Sequence, residues 1–175
     1  MPPERPLKLL DIGCGEGRIA IFFARNGYEV TAFDLSPQGV EKAKRYADEI
    51  GVSIKVFQAN LSEFRLEEKF DILFSTGVFH YIPEELRKEI FDNYKEFTNE
   101  NGLNAYSVFV KKPFIPRAPD FEKAAQSWVS GEVFSYYHDW KMESCQEEIF
   151  DCNSSGILHK HAVNRMIAGK IFGDL

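Results

Sequence analysis

The chain lacks several features that mark particular classes of protein. It has 3 cysteines in 175 residues and no Cys-X-X-Cys pair, and neither a signal peptide nor a hydrophobic run long enough to cross a membrane is present. The odd number of thiols and the missing signal peptide predict a cytoplasmic protein with reduced cysteines. They also predict that no membrane partner is involved.

A basic surface is missing as well. The formal net charge is −6, from 21 Lys and Arg against 27 Asp and Glu, and the lysines are scattered among acidic residues. Nucleic-acid binding depends largely on clustered Lys and Arg, so we expect no nucleic-acid partner. The hydrophobic content of 44%, with 16 phenylalanines, is enough to fill the core of one domain over residues 1–175. The phenylalanines are expected mainly in that core, the alternative being an apolar pocket.

What the chain does have is a glycine-rich turn. The run LeuLeuAspIleGlyCysGlyGluGlyArg, from Leu9 to Arg18, carries glycines at alternate positions, Gly13, Gly15 and Gly17. A dinucleotide pyrophosphate needs the GxGxxG spacing, and Arg18 stands where the third glycine of that pattern should fall. Asp11 would oppose a pyrophosphate but suits a cationic ligand such as the sulfonium of S-adenosylmethionine (SAM).

A second carboxylate supports an adenosine ligand without choosing between the two cofactors. Asp34 ends the next apolar run, TyrGluValThrAlaPhe, where it could accept hydrogen bonds from both ribose hydroxyls. Cys14 lies inside the turn as part of the predicted cofactor cradle, and a buried thiol there is disfavoured as a nucleophile.

These motifs resemble the class I SAM-dependent methyltransferases and, within them, the tellurite-resistance (TehB-like) group. Further segments carry the resemblance over nearly the whole chain: AsnGlyTyrGluValThrAlaPheAsp, GlnAlaAsnLeu at Gln58–Leu61, PheAspIleLeuPheSerThrGlyValPheHisTyrIle from Phe70, and ValPheSerTyrTyrHisAspTrp from Val133. The resemblance implies a methyl transfer from SAM to a small-molecule acceptor. An anionic chalcogen compound such as tellurite or selenite is implied by the group alone.

Strand and helix patterns alternate along the chain, which predicts an α/β fold. The predicted sheet is doubly wound, mostly parallel and closed by a C-terminal antiparallel hairpin. Predicted strands are Leu7–Ile12, Glu29–Phe33, Ser53–Gln58, Phe70–Ser75 and Leu103–Val110; predicted helices are Ile19–Asn26, Pro37–Gly51, Pro83 to near Gly102 and a short one at Gly131–Trp140; the hairpin strands are Lys141–Phe150 and Ile157–Ala168. The proline-rich segment Lys111–Pro119 is predicted to be a loop that borders the substrate.

The resemblance also implies roles for particular residues around the cofactor. Gly13 and Gly15 would lie against the methionine part and the ribose, Asp34 would bind the ribose hydroxyls, and Leu35 would pack on adenine. Asn60 and Leu61 follow the third strand, at the position of an acid that usually binds the adenine amino group, and Asn60 could instead close an Asx-turn. Ser75 and Thr76 would lie near the amino-acid part of SAM.

Candidate acceptor residues are fewer. His80 and Tyr81 follow the fourth strand, and Arg18 matches an arginine that the group carries, whose fork of donors suits an anion. His159 and His161 are two residues apart and share a face if they lie on a strand. Both are expected to border the acceptor pocket or to lie at a sheet end. Zinc would need further ligands, which Cys145 or Cys152 could supply, and without a Cys-X-X-Cys pair no metal site is predicted.

The segment before the first strand departs from the family. Relatives carry one or two helices there that cover the cofactor, whereas only Met1–Pro6 precede the strand. We expect either a truncated start or a cover supplied by another subunit, as in a homodimer. A catalytic base is not required for a reactive acceptor, so no catalytic residue is assigned. The alternatives are a SAM-binding regulatory module without turnover and an NAD(P)-dependent oxidoreductase.

Overall fold

The computed structural model describes residues 6–119 and 125–171, so most of the segment that precedes the first strand lies outside the described residues. Seven strands form one sheet in the order β3-β2-β1-β4-β5-β7-β6. The strands are β1 (Lys8–Ile12), β2 (Glu29–Asp34), β3 (Lys55–Gln58), β4 (Phe70–Thr76), β5 (Thr98–Val110), β6 (Lys141–Cys152) and β7 (His159–Gly169); the helices are α1 (Arg18–Arg25), α2 (Pro37–Ile50), α3 (Glu84–Glu96) and α4 (Glu132–Ser135), with a 3₁₀ turn at Phe79–Tyr81.

The first five strands run parallel, and β7 pairs antiparallel with both β5 and β6. This confirms the predicted doubly wound sheet and its closing hairpin. Local signals explain the helices between the strands. Ser36 caps α2 by accepting a hydrogen bond from the amide of Gly39, Pro37 occupies the first turn, and Gly51 ends the helix in a left-handed conformation.

Aromatic side chains form much of the core on one face of the sheet. Phe79, Phe91, Tyr94, Tyr106 and Trp128 are buried in the larger of two hydrophobic clusters, and the ring centroids of Phe79 and Tyr106 are 4.8 Å apart. These edge-on contacts fix α3 and the 3₁₀ turn against β5. Much of the high aromatic content is therefore core, as predicted.

The predicted helix from Pro83 to near Gly102 is wrong at its end. Helix α3 stops at Glu96, and β5 begins at Thr98 rather than at Leu103. Thr98 is fully buried, and its hydroxyl donates to the carbonyl of Tyr94, so the chain leaves the helix here. Thr98 also pairs with Phe70 across the sheet, and a register shift accommodates the polar residues that follow.

The predicted helix at Gly131–Trp140 is also mostly wrong. Only Glu132–Ser135 is α-helical, and consecutive turns follow, in which the amide of Tyr137 donates to Phe134 and the amide of Trp140 to Tyr137. Burial of the Tyr137 ring decides this path, because its hydroxyl receives a hydrogen bond from Asn104 on β5.

The hairpin and the cysteines follow the predictions closely. Strands β6 and β7 pair from Lys141↔Gly169 to Cys152↔His159. Cys145 and Cys152 lie on the same strand, so they cannot face each other, and all three cysteines are free thiols. Within the described ranges, no helix combines the length and the apolar character that crossing a membrane requires.

Candidate cofactor and acceptor sites

The strand order reverses between β1 and β4, and this reversal marks the usual ligand site of an open α/β sheet. Ile12 and Ser75 pair at the carboxyl ends of the two strands. The predicted glycine turn and the residues that follow β2 and β4 therefore converge at one edge of the sheet.

The amides of the glycine turn are already bonded to the protein. Those of Gly13 and Cys14 both donate to the carbonyl of Phe33, at 2.9 and 3.0 Å, and that of Gly17 donates to the carbonyl of Cys14. The amide of Gly15 donates to the carboxylate of Asp34 at 2.8 Å. A pyrophosphate site needs such amides pointing at the ligand, so this turn is built for a different group.

Two glycines shape the cradle. A Cβ on Gly13 would come within 2.5 Å of a Val78 methyl carbon, so the chain passes here too closely for any side chain. Gly15 has φ +54°, and a Cβ there would meet nothing within 4 Å. Gly15 thus borders open space, where a side chain would occupy the ligand's volume.

Asp11 is a buried acid at the end of β1. It is 3% exposed, and its Oδ2 atom has no hydrogen-bond partner among the described residues. Burial, with a smaller contribution from the charge of Asp34, raises the pKa of Asp11 to about 7. A buried carboxyl with an unused oxygen is unfavourable by itself, and a cationic ligand nearby would stabilise its charged form.

Asp34 holds the second predicted carboxylate in place. Its Oδ2 accepts the Gly15 amide and its Oδ1 accepts the Ser36 amide at 2.9 Å, which fixes the side chain at the end of β2. Each carboxylate oxygen has a further lone pair for a ligand hydroxyl. The neighbouring Leu35 is 63% exposed, so a large apolar side chain lies next to this acid without cover from the described residues.

Cys14 is unsuited to nucleophilic chemistry. Burial, together with the nearby charges of Asp11 and Asp34, raises the pKa of the Cys14 thiol to about 12. A thiol with this pKa is almost entirely protonated at neutral pH, so its contribution is limited to packing beside the turn.

The other predicted cofactor residues are engaged within the protein. Asn60 forms the Asx-turn, because its Oδ1 accepts the Ser62 amide at 3.0 Å, while its Nδ2 donates to Glu63. Leu61 packs in the core. The buried Ser75 hydroxyl donates to the carbonyl of Ile12 at 3.0 Å, which joins β4 to β1. Cofactor contacts from Asn60, Leu61 and Ser75 stay predictions.

A cavity of about 560 Å³ opens beside this edge, past the carboxyl end of β5. This size suits a small-molecule ligand. Its described lining combines apolar side chains with basic ones: Phe109, Val110, Ile115, Trp128 and Ala162, with Lys111, Lys112, Arg117, Lys160 and His161. Glu84 is the one acid in the described lining. The cavity is thus basic in a protein of net charge −6, and the predicted loop Lys111–Pro119 forms much of its wall.

A buried ion pair holds one side of this cavity. Arg87 on α3 is 2% exposed, contacts Glu132 at 2.5 Å, and donates to the carbonyl of Ser127 at 3.2 Å. Its guanidinium carbon lies 4.0 Å from the centre of the Trp128 ring, and the indole N–H donates to the carbonyl of Phe79. Together these contacts fix the segment around Trp128 against α3 and the 3₁₀ turn.

A second network holds Lys112, which is part of the cavity lining. Glu147 on β6 contacts Lys112 at 2.6 Å and accepts hydrogen bonds from Ser130 and Asn164. These partners lower the pKa of Glu147 to about 2. Asn164 in turn accepts the Gly131 amide at 2.7 Å, so the hairpin anchors the turn before α4.

The structure separates the four predicted acceptor residues. Arg18 lies exposed at the start of α1 and is not part of the described cavity lining. His80 and Tyr81 lie in the 3₁₀ turn, and the His80 ring centre is 6.1 Å from that of Phe109, which lines the cavity. His159 lies beside His161 at the start of β7. His80 and His159 each contact a residue of the cavity lining, and acceptor roles for Arg18, His80, Tyr81 and His159 stay predictions.

Sequence reasoning missed the residues that hold the cavity. Arg87, Glu132 and Glu147 read as surface charges on helix and strand patterns, because their partners are far away in the chain. Val78 also went unnoticed, although an apolar residue shortly after a strand end is a weak signal for contact with a glycine turn. His161, expected together with His159 to border the acceptor pocket or to lie at a sheet end, is part of the cavity lining.

The reversed strand order, the glycine turn and the carboxylate that ends β2 together define the class I methyltransferase fold. A family model described as tellurite resistance protein TehB matches residues 4–166, and the chain therefore belongs to the TehB family.

Named relatives agree with this assignment. The chain is 27% identical over 155 residues to a probable S-adenosyl-L-methionine-dependent methyltransferase TehB of Haemophilus influenzae, covering 89% of this chain and 51% of the relative. It is 34% identical over 147 residues to a ubiquinone biosynthesis O-methyltransferase of Rickettsia felis, covering 83% of this chain and 57% of the relative. The chain thus spans a little over half the length of these curated relatives.

Solved structures give the same fold. The crystal structure of TehB from Haemophilus influenzae superimposes with a TM-score of 0.85 at 26% identity, covering 94% of this chain and 58% of that one. Magnesium protoporphyrin IX methyltransferase from Synechocystis, solved with bound SAH, has a TM-score of 0.70 at 16% identity, covering 95% of this chain and 75% of that one. At 16% identity, the similarity to the Synechocystis enzyme shows a shared fold alone.

Proposed function

We propose that this protein binds SAM at the edge formed by β1, β2 and β4 and transfers its methyl group to a small anionic acceptor. One observation carries the proposal. The amides of Gly13, Cys14, Gly15 and Gly17 are bonded within the protein, while two carboxylates, Asp11 and Asp34, lie beside this turn, at what we call the cofactor groove. This arrangement favours a cationic nucleoside over a pyrophosphate.

Each residue in and around the turn would contact a different part of SAM. Asp34 would accept the ribose hydroxyls, Leu35 would cover one adenine face, and Gly15 would leave room for the chain between sugar and sulfur. Asp11 would stabilise the positive charge of the ligand from the end of β1. Bound SAM supplies an electrophilic methyl group, which passes to a lone pair of the acceptor as the carbon–sulfur bond breaks. The protein's task is alignment and exclusion of water.

The basic cavity supports an anionic acceptor. Lys111 and Arg117 at its mouth would attract an oxyanion, and Phe109 and Trp128 supply an apolar wall. A chalcogen oxyanion such as tellurite or selenite suits this lining and the family's description. A soft chalcogen lone pair needs no base, which agrees with a site in which no catalytic base is assigned.

A phenolic acceptor is the second candidate. Relatives named ubiquinone biosynthesis O-methyltransferase favour it, and so do the aromatic rings that line the cavity. A SAM-binding regulatory module without turnover remains the non-catalytic alternative. A nicotinamide oxidoreductase is opposed by the occupied turn amides.

We also propose that no nucleic-acid partner is involved, in line with the net charge of −6, and that the protein is cytoplasmic, in line with its free cysteines. We further propose that a second copy in a homodimer covers the exposed Leu35.

Calorimetry and a transfer assay test these proposals in turn. SAM and SAH should bind the full chain in a 1:1 ratio while NAD should not, and tight NAD binding would overturn the cofactor assignment. Transfer of a labelled methyl group from SAM to tellurite, selenite, a phenol or a neutral thiol then separates the acceptors. Binding without transfer to any of the four would favour the regulatory module.

A further inference from the structure

The turn end of the β6–β7 hairpin carries a cluster that the proposed function does not use. Cys152 on β6 pairs directly with His159 on β7, and His161 lies two residues farther along β7 on the same face. The Cys152 sulfur and one ring nitrogen from each histidine all lie within 4.8 Å of one another. We propose that Cys152, His159 and His161 bind a divalent transition-metal ion, with Zn²⁺ as the best match.

The donor set selects the metal. A thiolate with two imidazoles suits zinc, whereas calcium and magnesium prefer oxygen ligands. In the described residues the cluster contains these three ligands, so a tetrahedral ion would keep one position for water or a ligand.

Hydrogen bonding prepares His159 for this role. Its Nδ1 lies 2.7 Å from the carbonyl oxygen of Ile157, and a carbonyl can only accept, so Nδ1 carries the proton. The lone pair of the ring is therefore on Nε2, which points toward His161. A metal-bound histidine is commonly oriented in this way, by donating its other N–H to a carbonyl.

The spacing of the two histidine nitrogens is close to that of a zinc site. The two Nε2 atoms are 2.9 Å apart. Tetrahedral zinc with Zn–N distances of about 2.05 Å separates two such nitrogens by about 3.3 Å. A small rotation of one ring would supply the difference.

The surroundings hold the cluster in place, with the Ser154 hydroxyl 3.2 Å from the Cys152 sulfur. A bound ion would replace this contact and the proton between the two histidine rings. The His161 ring packs between Phe109 and Phe150, at centroid distances of 4.9 and 5.7 Å. The charged side chains of the neighbouring positions are paired elsewhere, Asp151 with Lys160 and Glu148 with Arg165. Because His161 also lines the cavity, the ion would lie at the cavity wall.

The site is independent of the proposed methyl transfer and can be tested without SAM. Purified, reduced and metal-stripped full chain is titrated with Co²⁺ and then with Zn²⁺. We expect one ion per chain and a thiolate-to-cobalt charge-transfer band that Zn²⁺ removes. Cys152→Ser should abolish the band, and His159→Ala or His161→Ala should weaken Zn²⁺ binding by more than about 100-fold, since losing even an outer partner typically weakens binding about 10- to 100-fold.

Cys145 provides the matched control. It lies on the same strand, seven residues before Cys152, and therefore on the opposite face, where it pairs with Met166. Cys145→Ser should keep the full band and affinity. A missing charge-transfer band, equal losses in the two serine variants, or one ion bound per two chains would overturn the proposal.

A second readout avoids any folding defect of the variants. In the wild-type chain, Zn²⁺ should protect Cys152 from alkylation while leaving Cys145 reactive, as mapped by mass spectrometry. Equal alkylation of Cys152 with and without Zn²⁺ would count against the site.

Discussion

The two halves of the sheet prepare their sites in different ways. On the β1–β4 side, the groove is formed by a continuous turn and by Asp34, which lies 19 residues after Gly15 and bonds directly to it. On the β5–β7 side, the cavity is formed by a loop, the segment before α4 and the hairpin, which the ion pairs Arg87–Glu132 and Lys112–Glu147 hold together. The first site depends on backbone shape and carboxylates, and the second on distant ion pairs and basic side chains.

Because the two sites are built differently, cofactor binding and protein stability should depend on different residues. A groove of backbone atoms changes little when a surface side chain is removed, whereas a cavity held by the buried ion pair Arg87–Glu132 loses stability when one partner is removed. Variants in the glycine turn should therefore change cofactor affinity. Variants in the ion pairs Arg87–Glu132 and Lys112–Glu147 should change stability and acceptor binding.

The largest expected effect concerns the buried ion pair Arg87–Glu132, which holds the cavity on the β5–β7 side of the sheet. Arg87→Ala leaves Glu132 half-buried without its partner, so we expect the free energy of unfolding to fall by about 3–5 kcal/mol in urea. SAH affinity of the folded fraction should stay near that of the wild type. Arg45→Ala is the control, since its exposed pair with Glu49 on α2 contributes less than about 1 kcal/mol. Equal losses of unfolding free energy in the two variants would contradict a stabilising role for the Arg87–Glu132 pair.

The next largest effect concerns Asp11 and pH. Because burial raises the pKa of Asp11 from 3.8 to about 7, the unfolded chain releases this proton at lower pH than the folded chain. Stability of the ligand-free protein should therefore fall as pH rises from about 4 to 7 and stay low above it. Asp11→Asn removes this loss and should stabilise the protein at pH 8 by up to about 4 kcal/mol.

The same substitution should weaken SAM binding. Wild-type affinity for SAM should rise between pH 6 and 8 as Asp11 ionises beside Asp34 and the Cys14 thiol, and the Asn variant should lack that rise. Urea unfolding at pH 4 and pH 8 measures the stability of both proteins, and calorimetry with SAM at pH 6 and pH 8 measures their affinity. Equal stability of the two proteins at pH 8 would show that burial of Asp11 is not unfavourable.

A somewhat smaller effect is expected at Asp34. Asp34→Ala removes the acceptors of two backbone amides and, in the proposed complex, of two ribose hydroxyls. With about 1.5–3 kcal/mol for each hydrogen bond to a charged group, SAH binding should weaken by roughly 100-fold or more in calorimetry. Asp48→Ala, an exposed acid on α2, should leave the affinity unchanged. Similar affinities for both variants would place the ribose elsewhere.

The smallest effect is expected at the cavity mouth. Lys111→Ala should raise the KM for an anionic acceptor by about 2- to 5-fold at low salt, because an exposed charge contributes about 0.2–1 kcal/mol. The effect should shrink with added salt and vanish for a neutral acceptor. Lys141→Ala is the control, since Lys141 pairs with Glu143 on β6 and is not part of the described cavity lining. An equal change in both variants would argue against an anion at this cavity.

Much of the β1–β4 side of the sheet could be predicted from the sequence. The glycine spacing, the Ser36–Pro37 start of α2 and Gly51 at its end are signals that act within a few residues, and they place each element close to its observed bounds. The prediction failed where long-range contacts decide the conformation. Thr98 turns from helix to strand because its partner Phe70 lies 28 residues earlier on β4.

The candidate sites follow the same division. Asp11 and Asp34 could be named because each ends an apolar strand, which is visible in the order of residues. The buried pair Arg87–Glu132 could not, because the two residues are 45 positions apart and each alone resembles a solvated surface charge. The approach of Cys152 to His159 likewise depends on the hairpin register.

By itself, the order of residues determined the α/β class, the glycine turn and the two carboxylates of the cofactor groove, because short-range backbone preferences and apolar periodicity encode them. The tertiary structure alone decided which charges are buried, which amides of the turn are occupied, and which side chains meet at the cavity and at the hairpin. Those properties arise from packing between segments far apart in the chain, where burial and desolvation change the chemistry of each group.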